Sequence, residues 1–151
     1  MSFRLDLAVF FITVVADQAS KFFVRLSLAS SESHVLIPGF LYLTYSTNQG
    51  AAFGLFGGSQ PWILASSVLL ISVTFLWYIR TRTRTDQKPV ALGLVLVMAG
   101  AMGNLVDRVR LGYVVDFIDF RVWPIFNLAD CAITAGAVLV LSSLVLRGRK
   151  S

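Results

Sequence analysis

One cysteine, one histidine and very little charge set this 151-residue chain apart. A lone cysteine, Cys131, allows no intrachain disulfide and no thiolate metal site, and a lone histidine, His34, gives no basis for a histidine zinc site. Charged residues make up 14% of the chain, against about 25% in an ordinary soluble domain. From Ser33 to Ile79 there is no Asp, Glu, Lys or Arg. Charge this sparse excludes a disordered tail and does not fit a water-soluble globule. What is present is apolar: 56% of residues are hydrophobic and the mean hydropathy is +0.76. The chain therefore reads as a single membrane domain, 1–151. Its net charge of +5 would raise nucleic acid as a partner for a soluble protein. Here it reads as basic loops held on the cytoplasmic side, with no nucleic-acid partner.

A spanning helix needs about 20 mostly apolar residues, and four segments qualify, near 5–28, 62–79, 89–106 and 126–146. None alternates strictly between apolar and polar, which excludes a β-barrel. Arg80, Arg82, Arg84 and Lys88 follow the second span, Arg147, Arg149 and Lys150 follow the fourth, and Arg4 precedes the first. The positive-inside rule makes that side cytoplasmic, with both termini. Arg4, the apolar run and Leu28-Ala29-Ser30 imitate a cleavable leader, but the polar insertion at Asp17–Lys21 favours a retained span. The opposite side receives roughly 30–60 and 108–125. There Pro38-Gly39 signals a turn, and Phe40 to Tyr45 is rich in strand formers. The expected fold is all-α and integral to the membrane: a four-transmembrane-helix bundle with a small extracytoplasmic β platform between helices 1 and 2. Trp62 and Trp123 mark the outer interface, and Trp77 with Tyr78 the inner one.

Polar groups at membrane depth are costly, so each needs a reason. Asp17 and Lys21 share a helix face four residues apart and read either as a self-neutralising pair or as part of a site. Ser20 and Lys21 point about 100° apart, which argues against a serine/lysine hydrolase pair. Asn104, Asp107 and Arg108 share a face at the end of the third span, where Asp107 and Arg108 also read as an end-capping ion pair. Gly100 and Gly103 thin that helix for a close neighbour. In Val114–Phe120, Asp116 and Asp119 face opposite ways if the segment is extended and the same way if it is helical. Asn127 fits a helix N-cap, but a cap alone leaves Asp130 unexplained. Cys131 reads as a buried structural thiol. The acids Asp107, Asp116, Asp119 and Asp130 thus gather at the outer mouth. Two carboxylates sharing one proton can activate water and protonate a carbonyl, and no other hydrolytic set exists in the chain. A small transporter or assembly subunit is the rival reading. It needs acids along the whole path, and the interiors of the second and third spans carry none.

These motifs, in this order, resemble the bacterial lipoprotein signal peptidase (signal peptidase II) family across nearly the whole chain. The blocks are Asp17-Gln-Ala-Ser-Lys21, Asn48-Gln-Gly-Ala-Ala-Phe-Gly54, Gly103-Asn-Leu-Val-Asp-Arg108, Val115-Asp116-Phe117 and Phe126-Asn-Leu-Ala-Asp130. The resemblance implies an aspartic endopeptidase of the bacterial inner membrane, with its active site at the extracytoplasmic face. It implies that Asp116 and Asp130 are catalytic and that Asp17, Lys21, Asn48, Asn104, Asp107, Arg108 and Asn127 support the site or bind substrate. Asp119 is left outside the pair. The implied partners are membrane lipid and a diacylglyceryl-modified prolipoprotein, cut just before its lipidated cysteine by a monomer. The interval from Asp116 to Asp130 is shorter than is usual in the family, which bears on the loop beside the site. No metal or cofactor is implied. Peptide cleavage assayed with and without EDTA should proceed at the same rate, and a loss that zinc restores would refute this reading.

Overall fold

Four helices of 25, 22, 24 and 21 residues dominate the chain: α1 (Phe3–Ser27), α2 (Gln60–Thr81), α3 (Lys88–Leu111) and α4 (Leu128–Gly148). At about 1.5 Å per residue each is long enough for a hydrocarbon core of roughly 30 Å, and all four are apolar enough to cross it. The computed structural model describes residues 3–50, 60–84 and 87–148. Gly54, Gly57, Gly58, Asp86 and the second half of the Asn48–Gly54 motif lie outside those residues.

Helix α3 is the axis of the bundle. Two-thirds of its apolar window (67%) is buried, against 17–22% for the other three helices, and α1, α2 and α4 all pack on it. Small residues allow this. A Cβ on Gly93 would lie 2.6 Å from the Gly136 carbonyl oxygen, and one on Gly136 would lie 2.5 Å from that of Gly93. Gly100 meets the Ala129 backbone in the same way. Without a hydrophobic drive between helices in lipid, such close backbone approach is what gives packing energy. Helix α3 runs past the expected end at 106, because Asp107 is neutralised by a cation from α1 and the charged turn can remain helical. It stops at Gly112, whose φ of +82° sets a left-handed cap and whose N–H donates to the Arg108 carbonyl at 3.1 Å.

The sheet has three antiparallel strands in the order β1 (Ser33–Ile37), β2 (Leu41–Asn48), β3 (Val114–Asp119). The expected hairpin is present, turning through Pro38-Gly39 with φ +72° at Gly39. The platform is not confined to the link between the first two helices, since β3 arrives from beyond α3 and pairs with β2 from Tyr42↔Asp119 to Asn48↔Val114. Segment 114–119 is thus extended, and its apolar-rich, β-branched composition is what favours a buried strand. Beyond β3, Phe126 bridges to Ile118, with N–H···O distances of 2.8 and 3.1 Å in the two directions.

Two expectations fail. Tyr78 is not interfacial: it is buried (5% exposed) among Val90, Leu94 and Val140, and its hydroxyl donates to Asp6 at 2.8 Å. Cys131 is exposed rather than buried, because the buried stripe of α4 runs through Ala129, Ala132, Gly136 and Val140. Replacing Gly136 with Val should cost about 1–3 kcal/mol by overpacking. A lower Tm in detergent is expected, while Gly148→Ala, which meets nothing within 4 Å, should leave Tm unchanged.

Candidate active site

The site is built outward from one ammonium group. Lys21, 2% exposed, has three N–H donors and three acceptors around them: Asp17 Oδ2 at 2.9 Å, Asp107 Oδ2 at 3.0 Å and Asn104 Oδ1 at 2.9 Å. The i, i+4 spacing on α1 brings Asp17 to it, and the i, i+3 spacing on α3 brings Asn104 and Asp107. The two carboxylates are held further. Asp17 Oδ1 accepts the Ala129 N–H at 2.9 Å, in the first turn of α4, and Asp107 Oδ2 accepts the Val115 N–H at 3.0 Å, in β3. Gly103 is obligatory here, since a Cβ would come within 2.5 Å of Asp17 Oδ2. One buried cluster therefore ties α1, α3, β3 and α4 together.

Asn104 and Asn127 carry that order to a pair of acids. Asn104 Nδ2 donates to Asp130 Oδ1 at 2.9 Å, and Asn127 Nδ2 donates to Asp116 Oδ1 at 2.6 Å. Asn127 Nδ2 also lies 3.2 Å from Asn104 Oδ1, which joins the two. At the start of α4 the Asp130 N–H donates to Asn127 Oδ1 at 3.0 Å, and the Asn127 N–H donates to Asp130 Oδ2 at 3.2 Å. This reciprocal cap shows that the capping and site readings of Asn127 hold together, and that the cap includes Asp130. Asp116 Oδ2 accepts from Asn48 Nδ2 at 3.0 Å, so β2 contributes as well. Burial raises the Asp116 carboxyl to about 6, the charge of Asp130 adding to it and the Asn48 and Asn127 hydrogen bonds opposing it. Asp116 lies on the wall of an open groove of about 320 Å³ with Ser46, Thr47, Asn48, Gln49 and Ile125.

This arrangement of motifs has known counterparts. The family model described as signal peptidase (SPase) II matches residues 9–146. This chain belongs to the signal peptidase II family. The lipoprotein signal peptidase of Pelotomaculum thermopropionicum is 44% identical over 141 residues, covering 93% of this chain and 91% of that one. The lipoprotein signal peptidase of Staphylococcus carnosus is 37% identical over 148 residues, covering 93% and 92%. Two solved bacterial membrane enzymes share the fold. One has a TM-score of 0.87 at 28% identity and covers 99% of this chain and 92% of its own; the other has 0.85 at 30%, covering 94% and 93%. Members of the family are peptidases that process prolipoproteins.

In this signal peptidase II all nine residues singled out from sequence meet at the sheet end of the bundle. Asp17, Lys21, Asn104 and Asp107 form the buried cluster; Asn48 and Asp116 line the groove, and Asn127 hydrogen-bonds both Asp116 and Asp130. Arg108 reaches toward α2. Asp107 pairs with Lys21, not with its neighbour, and the Arg108 guanidinium instead lies in the field of Asp130, Asp116 and Asp107 and donates to Ser67 Oγ of α2 at 3.4 Å. Asp119 is excluded, because the strand turns it to the other face. It accepts from Thr44 at 2.8 Å and pairs with Arg121 at 3.3 Å. Burial works against ionisation of Asp119, but the Arg121 N–H, Thr44 and the Arg121 cation together hold its carboxyl below the usual range. Sequence reasoning missed Gln18, whose Nε2 reaches Asp107 Oδ1 at 2.9 Å and the Gly103 carbonyl at 3.0 Å. The signal was its place between Asp17 and Lys21, next to the first and one helical turn (i, i+3) from the second. Among the described residues no group of three or more His, Cys, Asp and Glu is placed to hold a metal ion.

Removing the ammonium leaves two buried carboxylates without a counter-charge, which costs about 3–5 kcal/mol. Lys21→Met should therefore unfold at much lower temperature in detergent. Adding Asp17→Asn and Asp107→Asn to it should recover most of the loss, because no buried charge then remains unpaired.

Proposed function

We propose that this signal peptidase II is an aspartic endopeptidase that cuts diacylglyceryl-modified prolipoproteins just before the lipidated cysteine. The observation that carries the reading is the pair Asp116 and Asp130, joined through Asn104 and Asn127, with Asp116 lining an open groove. Like charges this close do not both ionise readily, so the pair keeps one proton. Asp116, in the drier position, holds it. Asp130 sits in the first turn of α4, where the helix dipole favours negative charge. Asp130 takes a proton from water as the water oxygen bonds to the scissile carbonyl carbon. Asp116 gives its proton to the carbonyl oxygen, and a neutral gem-diol forms. The amide C–N bond then breaks, the Asp130 proton passing to the leaving nitrogen and a diol proton returning to Asp116. The products are a carboxylic acid and the free amine of the lipidated cysteine. Asn48, on β2, is placed to orient the peptide beside Asp116.

The sheet end is read as the extracytoplasmic end, since the links at the other end carry Arg80, Arg82, Arg84 and Arg147. A substrate anchored by acyl chains reaches such a site from the bilayer, while water reaches it from the surface. The enzyme acts as a monomer in the bacterial inner membrane, and its site is complete within one chain.

Asp116→Asn and Asp130→Asn should each lower the cleavage of a diacylated lipobox peptide by at least about a thousandfold, with Tm near that of the parent. Full activity in either would end the assignment. The singly protonated pair persists up to the Asp116 value of about 6. Consequently kcat/KM, which reports the free enzyme, should fall with rising pH above that value. The kcat profile should hold to higher pH, because a bound substrate dries the groove further.

A further inference from the structure

The sheet carries an apolar ridge that the site does not use. Leu36 and Ile37 of β1 are 56% and 48% exposed, Phe40 in the turn is 57% exposed, and Val122 and Trp123, beyond β3, are 91% and 68% exposed. Soluble surfaces rarely show such a set together. A stack of rings leads from Phe40 toward the site: Phe40 meets Phe120 at 5.1 Å, and Phe120 meets Phe126 at 5.8 Å. The polar groups of the sheet lie elsewhere. Arg121 donates to Ser33 Oγ at 2.7 Å and stacks on Tyr42 at 4.0 Å, while His34 lies 3.4 Å from Glu32.

The occupant follows from connectivity. Only residues 112 and 113 separate α3 from β3, and 28–32 separate α1 from β1. A two-residue link reaches no more than about 10 Å, so the sheet cannot rise clear of the surface from which those helices emerge. The ridge then continues the lipid-facing surface of α1, where Phe22, Phe23 and Leu26 are exposed. We infer that Leu36, Ile37, Phe40, Val122 and Trp123 are immersed in the outer headgroup–acyl boundary and fix the depth of the sheet in the bilayer. This rests on reading the helices as spans and the sheet end as extracytoplasmic. The stack then passes that depth to the site. Phe126 is bonded to β3 at Ile118 and immediately precedes Asn127. Asp116 and Asn127 are therefore held at a set height, the height at which a lipid-anchored cleavage point lies. The same immersion covers the free edge of β1, an apolar edge that would otherwise invite pairing with another chain.

The test reads Trp123 alone, in the full chain with Trp62→Phe and Trp77→Phe, in phosphatidylcholine nanodiscs. Lipid brominated at the 6,7 position of its acyl chain should remove most of the emission, and aqueous iodide should remove little. A second chain that also carries Trp123→Phe and Phe40→Trp should behave alike. Free quenching by iodide with none by brominated lipid, at either position, overturns the proposal. So does protection from both quenchers accompanied by cross-linked dimers, which would show β1 covered by a second copy. Neither readout involves catalysis, so failure of the aspartate-pair reading leaves this test standing. In turnover, Val122→Glu with Trp123→Glu should raise KM for a bilayer-embedded diacylated substrate about tenfold while kcat is kept. An unchanged KM would remove the link between depth and substrate capture.

Discussion

The buried ammonium of Lys21 is the interaction on which the rest of this structure depends. A cation in a dry interior is tolerated only when its charge and all its donors are satisfied. Here two carboxylates and one amide oxygen meet that demand completely. Each partner then serves a second element. Asp17 holds the first turn of α4, Asp107 holds the first turn of backbone after Gly112, at Val115, and Asn104 reaches Asp130. The cluster carries a net charge of one minus. That is the arrangement a neighbouring acid resists unless it is kept at a distance, and Asn104 and Asn127 provide that distance without adding charge. Neutral amides between charged groups let the acids sit near one another with every oxygen hydrogen-bonded.

Close helix packing is the second requirement, and it is met by what α3 leaves out. The glycines at 93 and 100 let α4 settle against α3, and Gly103 makes room for the Asp17 carboxylate itself. A methyl group at 103 would occupy the site of the ion pair. Packing and electrostatics are therefore one constraint on this helix. Its sequence is small on the sides that meet α1 and α4, and beyond Lys88 at its start it is polar only from Asn104 onward, where the cluster lies. The other face of the requirement is exposure: α1, α2 and α4 can be largely lipid-facing because α3 supplies most of the helical interior.

Much of this was legible in the chain. Four spans, their order, the hairpin at Pro38-Gly39 and the polar pairs on α1, α3 and α4 follow from hydropathy, turn chemistry and helical spacing; Asn48 came from the family resemblance, and Gln18 was missed. Three things were not. Periodicity over 114–119 allowed both an extended and a helical reading, and only pairing with β2 decides it. Partner choice between equal candidates was hidden too: Asp107 has Arg108 beside it in sequence, yet takes Lys21 from a helix 86 positions away, because adjacent helical side chains diverge. Tyr78 and Cys131 misled for a related reason. Composition says which residue types suit an interface or a core, but the rotation of α2 and α4 about their axes is set by packing against α3. At Tyr78 the deciding partner, Asp6, lies in another span.

Asp116 and Asp130 arise from different kinds of element, and that difference gives them different surroundings. Asp130 belongs to a helix start, where it accepts the Asn127 N–H and an Asn104 amide and remains half-exposed. Its surroundings are donors aimed at an anion, fixed by the need to cap α4. Asp116 belongs to a strand, 3% exposed, with two side-chain amides and no helix end directed at it. Burial there favours the neutral acid. A symmetric pair would leave the proton shared and its role undefined. In the proposed mechanism an asymmetric one assigns base and acid before substrate arrives, and does so with groups the fold already requires. Asn127 shows the economy most plainly: its oxygen caps the helix, and its nitrogen holds Asp116. Any substitution that spares the cap but removes the amide, such as Asn127→Asp, would set a third carboxylate against Asp116 and Asp130. The chemistry would fail there while the start of α4 stayed formed.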